Sequence, residues 1–274
     1  MKTQLEKSQA FAELHRHGNC FVIPNPWDAG SAKLLQHLGF QALAGTSAGF
    51  AFSKAKTDPT ITVAEMLPHL AELAAATDLP LSADLQSGFG PSADDAARTI
   101  IEAAATGIVG GSIEDATDDP DHPLFDIGLA ADRICAAAEA ARSLDFKFVL
   151  TGRAENFRVG RPNLGDTIRR LQAYQEAGAD VLFAPGLRTP EDIAEVVRSV
   201  DRPVNIMMGM PGMQLTVPEL ARLGVARVSL GASLARAAYG ALMRGAREVL
   251  GQGTFGYADE APPAAELNRI FAPT

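Results

Sequence analysis

The sequence predicts an α/β fold, one closed (β/α)8 barrel of the TIM type spanning residues 1–274, and three observations lead there. Short apolar, β-prone runs alternate with helical stretches eight times in about 250 residues. A glycine recurs where a helix gives way to the next run, at Gly39, Gly107, Gly178 and Gly224, as expected where a helix ends in the left-handed conformation. Several runs break off into an acid, a hydroxyl or an arginine. Parallel strands in a barrel deliver all such ends to one rim.

The elements follow in order. Strand one is read over Cys20–Pro24 and leads into Asn25-Pro26-Trp27-Asp28, where Asp28 can cap the next helix and Trp27 can wall a pocket. Strand two, Gln41–Gly45, runs into Thr46-Ser47-Ala48-Gly49, whose hydroxyls and backbone N–H groups suit either an oxyanion nest or a plain tight turn. A polar loop carrying Asp58 precedes the capping box Thr62-Val63-Ala64-Glu65. Strand three is Leu81–Asp84, followed by Gln86-Ser87-Gly88-Phe89-Gly90. Strand four, Gly110–Ile113, ends at Glu114-Asp115 and opens a long acidic loop to Pro123, placed to act as a lid; His122 is the only histidine near the rim.

Strand five, Phe148–Thr151, delivers Gly152-Arg153-Ala154-Glu155. Strand six is Val181–Phe183, and Thr189-Pro190 then starts a helix with proline at its first position. Strand seven, Pro203–Met207, carries Asn205 and is followed by a second capping box, Thr216–Glu219. Strand eight is Arg227–Leu230, with a final long helix at Ser233–Leu250. Residues 251–274 lie outside the eight units and are expected to dock on the chain's own barrel or on a neighbouring subunit.

Composition narrows the function. The chain is 47% hydrophobic and 6% aromatic, and its net charge of −9, with no basic cluster, argues against nucleic acid. No apolar run is long enough to span a bilayer, and the polar N-terminal residues carry no apolar leader segment. The expectation is a cytoplasmic protein with buried, reduced thiols at Cys20 and Cys135. There is no His-x-x-x-His or Cys-x-x-Cys spacing, no Gly-x-Ser-x-Gly elbow and no Walker loop.

Asp84 and Glu114 end adjacent strands, and Arg153 ends the next. Hard carboxylate oxygens at that spacing suit Mg²⁺, which needs only one or two protein carboxylates. Arg153 suits the carboxylate or phosphonate of an anionic substrate. Each residue also has a plain alternative, since acids at strand ends cap helices and Arg153 can pair with Glu114 or Glu155.

Trp27-Asp28-Ala29-Gly30-Ser31-Ala32, Asp84-Leu85-Gln86-Ser87-Gly88-Phe89-Gly90, Ser112-Ile113-Glu114-Asp115 and Thr151-Gly152-Arg153-Ala154-Glu155 appear in order at suitable spacing. Together they resemble the motifs of the isocitrate lyase/phosphoenolpyruvate mutase superfamily over about Asn25 to Leu250. The resemblance implies a barrel whose last helix is exchanged between subunits of a dimer or tetramer. It also implies Mg²⁺ (or Mn²⁺) at Asp84, Gln86 and Glu114, and substrates that are small 2-oxo acids or their phosphonates. Trp27, Gly45, Thr46, Ser47, Arg153 and Asn205 are the expected substrate contacts, and Asp58, Glu114 and Arg153 the expected catalytic residues.

The departures shape the expected reaction. Gln86 stands where the superfamily often has a second acid, and the lyase motif Lys-Lys-Cys-Gly-His is absent after Asp115, as is the mutases' Lys-Thr-Asn pattern. The leading expectation is a Mg²⁺-dependent C–C lyase acting on an oxaloacetate-like substrate through a metal-stabilised enolate. Two others stand beside it: P–C bond chemistry on phosphonopyruvate using Asp58, and a 2-oxo acid binding protein with little catalysis.

Overall fold

In a computed structural model describing residues 2–117 and 119–272, eight parallel strands form a nearly closed barrel wrapped by helices. The strands are β1 (Phe21–Ile23), β2 (Leu43–Gly45), β3 (Leu81–Asp84), β4 (Gly110–Glu114), β5 (Val149–Arg153), β6 (Val181–Phe183), β7 (Val204–Met207) and β8 (Arg227–Ser229). The helices are α1 (Gln4–Leu14), α2 (Ala29–His37), α3 (Ser47–Ser53), α4 (Val63–Ala76), α5 (Ala93–Ala104) and α6 (Ile127–Arg142). They continue with α7 (Leu164–Ala177), α8 (Pro190–Arg198), α9 (Val217–Arg222), α10 (Ser233–Gln252) and α11 (Ala264–Phe271). Short 3₁₀ turns lie at Asp58–Thr60 and Gly256–Glu260.

Ladder pairing runs β1-β8-β7-β6-β5-β4-β3-β2. The remaining seam, between β1 and β2, is held by two backbone hydrogen bonds to residues just past β1, Ala44 N to Pro24 O at 3.0 Å and Thr46 N to Pro26 O at 3.2 Å. The ends follow the expected chemistry. The four predicted helix-terminating glycines all have φ between +86° and +107°. Thr216 and Glu219 form the capping box, and Thr189 caps α8 with Pro190 behind it.

The core has two layers. Between sheet and helices lies a continuous apolar shell that includes Leu43, Leu70, Leu81, Ile113, Leu150, Leu182 and Val228. Inside the barrel, Phe21, Ile23, Val109, Val149 and Val181 meet Phe11 from α1, which plugs the N-terminal end. A side chain at Gly110 would sit 2.8 Å from the Phe11 ring, so glycine is what lets this plug enter. On the outer side, a Cβ at Gly152 would lie 2.9 Å from the Tyr174 Cβ.

Two strands are longer than their sequences suggested. β4 continues through Glu114 and β5 through Arg153, and these two residues are register partners. Both cysteines are half-buried rather than buried; Cys20 precedes β1 and Cys135 lies on α6. The tail folds back on its own chain. Glu248 of α10 accepts hydrogen bonds from Thr254 Oγ1 and from the backbone N–H groups of Gly256 and Tyr257. α11 lies beside α2, with the Phe271 ring near Gly30. Among the described residues no helix is long and apolar enough to cross a membrane.

Candidate active site

The C-terminal ends of β2, β3, β4 and β5 bring Thr46, Ser47, Asp84, Glu114 and Arg153 together at the rim. Arg153 is the hub. Its Nη1 lies 3.1 Å from Asp84 Oδ2 and 2.9 Å from Glu114 Oε2, and its Nε donates to Glu155 Oε1 at 2.5 Å. Its guanidinium also lies 5.2 Å from the centre of the Phe183 ring. Burial alone would lower its pKa, but Glu114, Glu155 and Asp84 outweigh that and hold it firmly protonated.

The acids are set from several sides. Asp84 Oδ2 also accepts from the Ser47 hydroxyl at 3.1 Å, and Oδ1 accepts from the backbone N–H of Gln86 at 3.1 Å. That turn is sharp, with Gln86 at φ +50°. Burial pushes the Glu114 carboxyl well above the usual range, and Arg153 opposes that shift. Burial likewise raises Asp58, helped by the neighbouring charge of Asp84, while hydrogen bonds from Ser47 and Gln86 pull it back in part.

A cavity of ≈ 100 Å³ opens beneath this cluster and follows the barrel axis. Thr46, Asp58, Asp84 and Arg153 border its outer part, and Asn205 and Arg227 are also among its lining residues. A wider cleft lies outside it, lined by Gln86, Glu114, Phe125 and Glu155, with Thr117 and Asp119 of the acidic loop. That loop is pinned at its base by Phe125 N to Asp115 O and Thr117 N to Pro123 O. Asp118 lies outside the described residues.

The structure separates the remaining sequence-based expectations. Gly45 borders the cavity, and a side chain there would press on Leu73 at 3.3 Å. Trp27 is absent from the cavity lining; its Cβ packs 3.0 Å from the Cβ position of Gly49. Asp28 caps α2 through the Ser31 N–H. The Gln86 amide donates to the Asp58 backbone carbonyl at 3.0 Å and to its Oδ1 at 3.2 Å, so it bridges the Asp58 loop to the Asp84 turn.

Arg227 escaped the sequence reading, whereas Glu155 was anticipated as a partner of Arg153 and Asp115 as an acid at the end of strand four. Glu155, 3% exposed, completes the Arg153 cluster. Asp115 faces away from the cavity and is bonded by the Glu155 N–H at 2.8 Å, Arg170 Nη1 at 3.0 Å and the Tyr174 hydroxyl at 2.5 Å. It therefore fixes the segment that carries Glu155. Arg227 lies deep in the barrel, 5% exposed. Its charge at the start of a strand was the one available signal.

Among the described residues, no three His, Cys, Asp or Glu side chains converge as a metal-holding group. The donor set nevertheless fits Mg²⁺. Asp84 and Glu114 present hard oxygens to one space, with three carboxylates gathered around a single arginine. An ion that takes one or two carboxylates and keeps its waters matches that surplus of negative charge.

The model of the phosphoenolpyruvate phosphomutase family matches residues 11–250. A candidate lyase/mutase from Burkholderia cenocepacia J2315 is 52% identical, with a TM-score of 0.96 over 98% of this chain and 97% of its own. Phosphonopyruvate hydrolase, solved with oxalate and Mg²⁺, is 27% identical with a TM-score of 0.86 over 98% of this chain and 95% of its own. The oxaloacetate decarboxylase of Pseudomonas putida strain GB-1 is 29% identical over 229 residues, 79% of this chain and 75% of that protein.

Proposed function

Because the chain belongs to the phosphoenolpyruvate phosphomutase family, we propose that it is a Mg²⁺-dependent carbon–carbon lyase acting on a small 2-oxo acid of the oxaloacetate type. The observation that carries this reading is the cluster of Asp84, Glu114 and Arg153 over a cavity of ≈ 100 Å³. Asp58, Asp84 and Arg153 line both this cavity and the wider cleft outside it, so a small acid can enter from the cleft. Similarity to an oxaloacetate decarboxylase supports the substrate class.

In this reading Asp84 and Glu114 would hold the metal. A bound Mg²⁺ supplies Lewis-acid polarisation of the 2-oxo group. Arg153 holds Asp84 and Glu114 in one orientation, so their geometry is set before substrate enters. Thr46 and Ser47 present hydroxyls to the substrate's carboxylate end. Ser47 also bonds Asp84, which ties substrate seat to metal ligand. Gln86 tunes the site without adding charge, through its hold on Asp58.

The test is proton and phosphorus NMR with Mg²⁺ and separate samples of oxaloacetate, 2-methylisocitrate and phosphonopyruvate, each against protein-free and metal-free controls. Pyruvate formed from oxaloacetate above the spontaneous rate is the expected result. Absence of any such excess refutes the reading. One observation favours a second reading: Asp58 borders the same cavity, and the similar phosphonopyruvate hydrolase acts on a P–C bond. Phosphate released from phosphonopyruvate, and lost in Asp58→Asn, would establish that alternative.

A further inference from the structure

Arg227 is a buried cation without a counter-ion. Its side chain runs from the first residue of β8 into the barrel and is held by three neutral acceptors. Nε donates to Asn205 Oδ1 at 3.0 Å, and Nη2 to Thr151 Oγ1 at 2.9 Å. Nη1 faces His15 Nε2 at 3.4 Å. His15 Nδ1 lies 2.8 Å from the Phe11 carbonyl and must donate to it, which leaves Nε2 as the acceptor. No carboxylate among the described residues pairs with Arg227. Two of its five N–H groups have no protein acceptor there either.

The other buried arginines differ. Arg153 has three carboxylates and Arg170 has two. Arg133 is served by backbone carbonyls, as at Gly90 and Ser92, but borders only a crevice with no room for a ligand. Arg227 alone combines an unneutralised charge with a cavity wall. Taking a charge out of water without a partner costs several kcal/mol. The burial lowers the Arg227 pKa to about 9, which still leaves it cationic at neutral pH. An anion entering the cavity would recover part of that cost, and the Asn205 amide is locked by its bond to Ser229 Oγ so that its oxygen stays on Arg227.

We propose that Arg227 is the fixed cation that receives a substrate carboxylate at the inner end of the cavity, and that it makes the site prefer small dicarboxylates to matching monocarboxylates. The assignment rests on the reading of this cavity as a 2-oxo acid site. It divides labour between two guanidinium groups. Arg153 organises the acids at the rim, and Arg227 supplies the charge that the rim has already spent on its own carboxylates.

The experiment is calorimetric titration with oxalate, and with its monoanionic isostere oxamate, in Mg²⁺ buffer. The wild-type chain is compared with Arg227→Gln and Arg227→Lys, and circular dichroism melts certify the fold of each. A charge-assisted hydrogen bond predicts about a ten- to hundredfold loss of oxalate affinity in Arg227→Gln, with most of it restored in Arg227→Lys. Oxamate should weaken much less. Oxalate bound by folded Arg227→Gln within about twofold of wild type, or equal losses in the Gln and Lys variants, overturns the assignment and leaves the site reading intact. If Arg227→Gln does not fold, the wild-type chain still decides, because an oxalate-to-oxamate preference below about threefold overturns it. No oxalate binding by the wild-type chain overturns the site reading itself, and this assignment with it.

Discussion

Replacing Asp115 with asparagine should destabilise the chain severely although the residue lines neither the axial cavity nor the cleft outside it. Asp115 is 2% exposed, and its two oxygens take donors from the Glu155 backbone, Arg170 and Tyr174. Asparagine keeps the shape but has one acceptor, so its NH₂ must face at least one of these donors. Breaking a buried ion pair costs about 3–5 kcal/mol. Arg170 keeps Asp166 Oδ2 and the Phe125 carbonyl, both at 2.8 Å, so the lower end of that range, roughly 3 kcal/mol, applies. Urea unfolding followed by circular dichroism measures it, and a melt should fall by about 2–4 °C per kcal/mol. Tyr174→Phe removes one bond to the same carboxylate and should cost about 1.5–3 kcal/mol. The double variant should cost less than the sum, because both changes act on one shared hydrogen-bond network. A cost below about 1 kcal/mol for Asp115→Asn, or strict additivity, would refute the account of this network.

Two further outcomes are expected. Asp84→Ala should lower Mg²⁺ affinity by more than about tenfold and abolish turnover; retention of both in a titration and a turnover assay would remove Asp84 from the metal site. Stability should fall with acid in a defined window, because burial depresses His15 from 6.5 to about 3 and His69 from 6.5 to about 4. The unfolded chain binds these protons first, so the stability is present above pH 6.5 and is lost as pH falls from 6.5 toward 4 and 3. For His15, faced by Arg227 and Lys147 and held by the Phe11 carbonyl, the loss between pH 6.5 and 5 is about 1.5 kcal/mol. Urea titrations at both pH values in His15→Gln should show that slope reduced, and an unchanged slope would count against it.

Much of the fold was legible because its signals are local. A glycine after a helix, a threonine three residues before a glutamate and a proline behind a threonine each mark a boundary within a few residues. β3 and β6 were read to the residue for that reason. The ends of β4 and β5 were misread because Glu114 and Arg153 look like loop residues in isolation. They stay in the ladder because each neutralises the other across it. The convergence of Asp84, Glu114 and Arg153 followed from topology alone, since parallel strand ends share a rim. The supporting contacts did not. Asp115 meets Tyr174 across 59 positions, and Arg227 meets Thr151 across 76; no local pattern encodes either.

The seam between β1 and β2 has a consequence for how the cylinder breathes. Every other neighbouring pair is joined by a ladder, whereas this one depends on the Ala44 and Thr46 amides. Local opening is drawn from wherever the fewest bonds must break at once. Those two amides should therefore exchange their hydrogens ahead of the amides in β4 and β5, and spreading of the cylinder should begin there. Thr46 is also part of the cavity wall. A ligand that grips Thr46 on one side and the β3 and β5 ends on the other would staple the staves together, so slowed exchange at Ala44 would report an occupied site before any product appeared.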